Sequence, residues 1–420
     1  MKKVLAFLLV GMLVFGSMAF ASYTEVNSTL LSPVLLENDM IVMIYPQKLV
    51  DFTNLAVFER TGGTSWGYVN IDAGFGILSI AGGPNPGIAD VSVTNLGQSL
   101  PNNIASLIYS TKLDSFDIGV DLILGMDKNY QVNKKVSGVD DKDVTTDENK
   151  SFTKIVLGTS LKGDFALDLG VSLALPGYSS NPKNYNAAGA LIDDNYTKLG
   201  GLELGINAGT KLFDIILDLS VIYASEKAEK QTWHDADGNG TPETNTLNTS
   251  EDSNIRINLL AGKKVKATET FEVIFGSGLR INLTSPTKDI TEDKIASTKT
   301  YSTGRDSSFG LAMPLNLAVM CKINETWSWM AGISKTLISM TNTNHKTVSS
   351  SDETVTDESD QSSLNIDSGL LTAMGITGTF GDLKIQGTIN SSILTNGPYF
   401  ISGAQTANLV SMLALVYDWK

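Results

Sequence analysis

The feature that most constrains the fold is a long alternation of apolar with small or polar residues. Large apolar residues occupy every second position of one arm, and the residues between them are small or polar apart from Met320; the apolar set is Phe309, Leu311, Met313, Leu315, Leu317, Val319 and Cys321. Successive side chains of a strand point to opposite faces. One face therefore meets an apolar medium. The chain turns at residues 322–325 and returns to Leu337. Each arm of about 12 to 15 residues is long enough to cross a tilted bilayer.

The same unit recurs from Asn103 onward, with six tight turns alternating with six long polar loops. Outer-membrane barrels have short turns on the periplasmic side and long loops outside. Thirteen strands follow Asn103, and an even number needs at least one more, which residues 75–81 supply. The sequence predicts an all-β, transmembrane, antiparallel up-and-down barrel of about 14 strands (12 to 16). Sixteen strands result if residues 64–71 and an earlier strand also join.

The N-terminus has the pattern of an exported protein. Lys2 and Lys3 precede an apolar run over residues 4–15, and small residues lead to Ala21, as in a signal peptide. We expect residues 1–21 to be removed, residues 22–64 to form an N-terminal segment that plugs the lumen or stays periplasmic, and residues 65–420 to form the barrel. A secreted soluble all-β protein is the alternative, but so large an apolar face would aggregate in water.

Charge and composition argue against two function classes. The net charge is −14, which repels nucleic acid, so no nucleic-acid partner is expected. The chain has two histidines, His234 and His345, and both fall in predicted loops. No phosphate-binding loop, GxSxG motif or metal-spaced Cys/His set occurs. The sequence therefore predicts that the protein is not an enzyme.

Charged residues recur on the minority face of the strands, which we assign to the lumen. The acidic members outnumber the basic ones; the set is Asp117, Asp121, Asp164, Asp168, Glu203, Asp214, Asp218, Arg256, Glu272 and Arg280, with Lys154 and Lys384 as further basic positions. If a continuous water path exists, this excess favours cations. Alternatively, the charges pair and only hydrate the interior.

One loop has the pattern of a calcium site. Acidic or amide oxygens recur at alternate positions around two glycines in residues 235–243, from Asp235 through Asp237 and Asn239 to Glu243. Calcium takes such oxygen ligands, and glycine permits the tight wrap. The loop resembles the short DxDGxG repeats of extracellular calcium-binding modules. The usual Glu at position twelve is replaced by Thr246, so Glu243 would substitute. A plain polar loop is the alternative, and no other cofactor is indicated.

The chain resembles bacterial outer-membrane β-barrel proteins of the porin-like kind in three features. These are the leader, the regular succession of hairpins and the final alternation of Leu413, Leu415, Tyr417 and Trp419. In that family the assembly machinery reads a terminal aromatic residue; here Lys420 follows it. The N-terminal segment is also similar to the luminal hatch of long-chain fatty-acid transporters. The resemblance implies an outer-membrane location, with membrane lipid, the barrel assembly machinery and small solutes as partners.

We therefore predict a barrel that allows passive diffusion of small solutes with a preference for cations. Two alternatives stay open. One is a structural or surface-interaction barrel that acts through its acidic loops. The other is a transporter of hydrophobic ligands with the N-terminal segment as hatch.

Overall fold

The computed structural model describes most of the chain after the predicted signal peptide. The described residues are 26, 30–61, 64–83, 101, 103–133, 144–163, 166–185, 191–235, 237, 239–285, 288–301, 304–348, 351, 354–365, 369–389 and 410–419. The predicted signal peptide, residues 1–21, lies outside them. Within the described part, no helix has the length and apolar character needed to cross a membrane.

Twenty strands form one antiparallel sheet. They are β1 (Leu55–Thr61), β2 (Thr64–Asp72), β3 (Ile77–Gly82), β4 (Ile104–Lys112), β5 (Phe116–Asn133), β6 (Val144–Leu161), β7 (Leu167–Tyr185), β8 (Leu191–Asp194), β9 (Tyr196–Leu212), β10 (Ile215–His234), β11 (Thr244–Lys266), β12 (Phe271–Thr284), β13 (Lys288–Asp293), β14 (Thr298–Tyr301), β15 (Gly304–Lys322), β16 (Trp327–Val348), β17 (Val355–Asn365), β18 (Leu371–Phe380), β19 (Leu383–Ile389) and β20 (Val410–Asp418).

Sixteen of these strands form a closed wall. The first and last strands pair, with Leu55 opposite Asp418 and Thr61 opposite Met412. The short strands β8, β13, β14 and β17 extend hairpins beyond the wall at the end that carries the long loops. We call this end the loop end, and the opposite one, with the tight turns, the turn end. Among the described strands, closure leaves no unpaired edge in the wall itself, which a lipid environment requires.

The barrel class is as predicted from the sequence, but the count of about 14 strands is corrected to 16. Both β1 and β2 belong to the wall, which therefore starts at Leu55, before the boundary predicted at residue 65. Most of their inward positions are apolar or aromatic, for example Val57, Trp66 and Tyr68, because they pack against a core inside the barrel, and Glu59 and Asn70 are buried polar exceptions. The alternation that marks a lipid-facing strand with a hydrated lumen is therefore missing.

The outer face of the wall is apolar on successive strands. One row of paired residues crosses eight strands and is entirely aliphatic: Val120, Leu157, Val171, Ile206, Val221, Ile257, Ile281 and Leu311. Leu157 and Ile206 expose 56% and 57% of their surface outward. An apolar area of this extent is a poor match to water and a good match to lipid.

Several segments predicted as loops are strand instead. The predicted loop 224–253 is largely the outer part of β10 and β11, which pair continuously from Ile215 opposite Lys263 to His234 opposite Thr244. Beyond the apolar belt these strands are polar on both faces, so they lack the periodicity that identifies a half-buried strand. Only residues 235–243 connect them.

The chain before β1 folds into short helices inside the wall. Helix α1 (Pro33–Leu36) begins with Ser32, whose Oγ accepts from the Val34 amide at 3.1 Å, and ends at Glu37 in a left-handed conformation. Two 3-10 helices follow, Asp39–Met43 and Pro46–Asp51. We call residues 30–54 the plug. Its buried side chains, with the inward residues of β1–β3, form the main hydrophobic core.

Candidate functional site: the plugged lumen

A track of glycines in the wall receives the backbone of the plug. Gly119 of β5, Gly158 of β6 and Gly170 of β7 are register partners in adjacent strands. A Cβ atom at Gly119 would overlap the backbone of Pro46 and Gln47, and one at Gly158 would overlap the Gln47 side chain. At Gly170 it would lie 2.9 Å from the Ile44 carbonyl oxygen. A strand glycine often marks the close approach of another backbone, and here that backbone is the plug.

A second pair of glycines receives an apolar side chain of the plug. Gly262 of β11 and Gly276 of β12 are opposite each other in the register. Leu35, which is fully buried, projects into the space that they leave, so that a Cβ atom at either position would collide with it. Burying a leucine completely is worth about 1.5–3 kcal/mol. This contact therefore holds α1 against β11 and β12.

Polar groups of the plug bind several strands. Tyr45 donates a hydrogen bond to the Asp218 carboxylate of β10 at 2.6 Å. Lys48 forms an ion pair with Asp168 of β7 at 2.9 Å. Further contacts join the plug to β2 and β4: Tyr68 with Asp39, Asn70 Nδ2 with the Phe52 carbonyl at 2.7 Å, and Ser110 Oγ with the Gln47 carbonyl at 3.0 Å. Burial and the Asp218 charge raise the pKa of Tyr45, so that its hydroxyl remains a donor.

The end of α1 is held by lysines of the wall. Lys264 of β11 donates to the Leu36 carbonyl at 2.6 Å and lies 3.0 Å from the Glu37 carboxylate, and Lys211 of β9 lies 3.6 Å from the same carboxylate. Partial burial raises the pKa of Glu37, but the hydrogen bonds and charges of the two lysines lower it by a larger amount. The pKa of Glu37 is therefore below its usual value. Glu37 is therefore ionised in neutral solution.

The contacts with the plug extend over most of the wall. Polar contacts reach β2, β4, β7, β9, β10 and β11, and the glycine positions add β5, β6 and β12. The apolar core adds Val57 of β1, Ile77 of β3, Ala318 of β15 and Val416 of β20. Among the described contacts, thirteen of the sixteen wall strands thus touch the plug or the core that it forms. The plug therefore lies near the turn end and contacts one continuous arc of the wall, from β20 through β1 to β15.

The charges predicted for the lumen fall into three groups. Asp168 and Asp218 bind the plug. Asp117 and Glu203 pair with wall residues, at 2.6 Å from Lys162 and 3.7 Å from Arg256. Asp121 is fully buried and accepts from Ser106 Oγ at 2.5 Å. The acidic excess is therefore largely engaged while the plug is seated.

Three further predicted positions lie in a turn or on β12. Asp214 lies in the two-residue turn between β9 and β10, where it has a φ of 63° and is exposed beyond the wall, so the luminal assignment is corrected. Glu272 is half-buried near the turn end of β12, and Arg280 is an exposed residue further along the same strand. Asp164 is outside the described residues.

The predicted calcium loop brings its carboxylates together. One oxygen each of Asp235, Asp237 and Glu243 lies within 4.8 Å of the others. Asp235 is fully buried, and its carboxylate accepts from the Asn239 and Gly240 amides, at 3.2 Å and 2.5 Å. Asn239 uses its side-chain oxygen to accept from the Thr241 amide at 2.7 Å. Three carboxylates and a nearby amide are a suitable oxygen set for calcium.

The residues that contact the plug were only partly visible in the sequence. The alternation identified Gly119 and Gly170 as minority-face positions, but it gave no reason to separate them from other small residues. Asp168 and Asp218 were predicted as luminal, yet their partners Lys48 and Tyr45 lie in a segment without periodicity. The register of three adjacent glycines is the one signal that points to a docked backbone, and it requires the strand alignment.

Comparisons with known proteins give structural likeness without sequence likeness. No family model and no curated protein matches the chain. A Pseudomonas aeruginosa FadL homologue overlaps with a TM-score of 0.39 at 9% identity, covering 96% of this chain and 99% of that one. The Pseudomonas putida toluene transporter TodX gives 0.34 at 12% identity, over 84% and 87% of the two chains. The Yersinia pestis ferric yersiniabactin receptor FyuA gives 0.33 at 8%, over 87% and 80%.

The fold itself is clear from the wall. Sixteen antiparallel strands close without an edge, the outer face is aliphatic, and turns at one end oppose long hairpins at the other. This is the architecture of bacterial outer-membrane β-barrels, as the sequence predicted.

Proposed function

We propose that the protein is an outer-membrane transport barrel in which the plug closes the lumen at the turn end, so that small solutes pass only when the plug moves. The supporting observation is the seating of residues 30–54 against the glycine track, with contacts on most of the wall strands. The turn end would face the periplasm, since tight turns lie on that side in barrels of this kind.

The physical argument is that the plug and the wall are complementary in both shape and charge. Glycines of the wall lie where the plug backbone contacts it, and the carboxylates of Asp168 and Asp218 lie where Lys48 and Tyr45 contact it. Ion pairs that are partly exposed contribute little to stability, about 0–1 kcal/mol each. Such contacts hold a plug in place while leaving its displacement possible.

Conductance in planar bilayers tests the proposal. The intact mature chain should conduct rarely, and a variant that lacks residues 30–54 but keeps β1 should conduct steadily. If the intact chain conducts as steadily as the variant, the plug does not gate the barrel and diffusion through it is passive and permanent. If neither protein conducts, the structural or surface-interaction role is favoured instead. Uptake of an apolar solute without ion conductance would favour the hydrophobic-ligand alternative.

The preference for cations is the finer part of the proposal. With the plug seated, Asp168 and Asp218 are bound to Lys48 and Tyr45. With the plug displaced, both carboxylates face the lumen without these partners. Cation preference is therefore expected of the plug-free barrel, where charged residues act at short range.

We also propose that residues 235–243 bind calcium at the tip of the β10–β11 hairpin. The three convergent carboxylates favour this role. Isothermal titration of the mature barrel with calcium chloride should give saturable heat, and Asp237→Ala should remove the component that the tip loop contributes. Heat no greater than buffer dilution would end the idea and favour a plain polar loop.

A further inference from the structure

A second group of oxygens lies lower on the same hairpin, facing into the barrel. Glu226 of β10 is the register partner of Asp252 of β11, and Ala224 is the partner of Asn254. Alternate residues share a face of a strand, and opposite residues have Cβ atoms about 4.5–5.5 Å apart. The side chains of Glu226, Asp252 and Asn254 therefore converge on one patch of the inner face, with the small Ala224 beside them.

These oxygens lack partners in the described part of the chain. Glu226 is 6% exposed, and its Oε2 has no hydrogen-bond partner. Oδ1 of Asp252 and Oδ1 of Asn254 are likewise buried without a partner. An unsatisfied buried acceptor costs about 1–3 kcal/mol, and more when it is charged. Three such acceptors on one patch indicate a partner that the described residues do not supply.

The charges on this patch repel each other. Burial and the charge of the neighbouring Asp252 together raise the pKa of Glu226 to about 7. Burial and Asp289, an exposed residue of β13, raise the pKa of Asp252. The cations nearby are engaged elsewhere: Arg256 lies 3.7 Å from Glu203, and Lys227 pairs with Glu229 and Glu251 on the outer face. A positively charged partner would relieve this repulsion.

The position also fits an ion in water rather than in the membrane. The outward apolar residues end at Tyr223 on β10 and at Ile255 on β11, and the patch lies just beyond them. On the β9 side, Glu226 faces Gly201, which contributes no side chain and against which Pro176 of β7 packs. The patch is about nine residues from the tip loop, or about 30 Å along an extended strand. The two sets of oxygens are thus separate.

We propose that Glu226, Asp252 and Asn254 bind a hard divalent cation of the calcium class on the inner face of the barrel, above the apolar belt. Two carboxylates and an amide carbonyl are the oxygen ligands that calcium prefers, and its flexible coordination tolerates a set supplied by two strands. Asp289 adds negative charge at the rim. The cation would join β10 to β11 where the hairpin leaves the membrane.

Calcium titration of the full-length mature barrel in detergent tests this site. All variants carry Asp237→Ala, so that the tip loop is silent. Calcium binding should remain in this parent, and Glu226→Gln or Asp252→Asn should weaken it at least about tenfold, because each removes a charged ligand. The matched control is Glu251→Gln, next to Asp252 but on the outer face, which should leave affinity unchanged.

The folding of each variant is checked before its titration is interpreted. If Glu226→Gln prevents folding, as judged by heat-modifiable gel mobility, Asn254→Ala replaces it and should also weaken binding. No calcium binding by the parent, or equal loss in the Glu251→Gln control, would overturn the proposal in favour of a carboxyl pair that shares a proton.

Discussion

The outer and inner surfaces of the wall differ in how uniform they are. The outer surface carries one aliphatic row across eight strands, from Val120 to Leu311. The inner surface changes with depth: glycines and apolar residues face the plug near the turn end, and unpaired acceptors such as Glu226 stand beyond the belt. Lipid contacts the whole outer face, whereas the inner face contacts the plug near the turn end and water beyond it. The composition of each surface therefore reports what touches it.

The largest effect is expected from placing the same charge on the two surfaces. Leu219 is exposed on the outer face of β10, and the adjacent Ser220 points inward on the face that carries Asp218. An arginine in lipid near mid-depth costs about 2–4 kcal/mol. Leu219→Arg should impair assembly, and Ser220→Arg should be tolerated. Heat-modifiable gel mobility reports both, and equal loss at the two positions would show that the faces are wrongly assigned.

The next effect comes from adding a side chain at two inward glycines. At Gly119 any Cβ atom overlaps the plug backbone, whereas at Gly310 the nearest atom would be 3.6 Å away. Gly119→Val should displace the plug while the barrel remains closed. Conductance should become frequent, and limited proteolysis should cleave residues 30–54.

Gly310→Val is the matched control for that substitution, because both residues lie in strands of the same wall. It should preserve rare conductance and protease resistance. If both variants behave like the parent, the glycine track does not position the plug.

A smaller effect is expected from one hydroxyl. Tyr45→Phe removes the hydrogen bond to Asp218 and leaves a carboxylate beside an apolar ring. Hydrogen bonds to charged groups contribute about 1.5–3 kcal/mol, so the frequency of channel opening should rise. Tyr223→Phe, on the exposed outer face of the same strand, should leave that frequency unchanged. Identical opening in the two variants would exclude this bond as a restraint.

The sequence predicted the features that depend on contact with lipid, which all the wall strands share. It missed the features that depend on contacts between particular residues. The alternation gave the barrel class and the thirteen strands after Asn103, because each of them meets lipid on one side. The predicted number of strands was too low because β1 and β2 lack the alternation: their inward residues Val57 and Trp66 face the plug core. The alternation also assigned Glu226 and Asp252 to a loop, since the strands there are polar on both faces. It placed Asp214 in the lumen because it extended the period into a turn.

The smallest expected effect concerns ion selectivity of the barrel that lacks residues 30–54. In it, Asp168 and Asp218 lose Lys48 and Tyr45, so two carboxylates are added to the hydrated lumen. In a salt gradient the reversal potential should favour cations, and the double variant Asp168→Asn, Asp218→Asn should move it toward zero. Asp214→Asn, in the exposed turn, should change it less. The preference should shrink as ionic strength approaches 1 M, where the Debye length is about 3 Å. An anion preference, or an equal shift from Asp214→Asn, would show that the carboxylates bound by the plug do not line the conducting path.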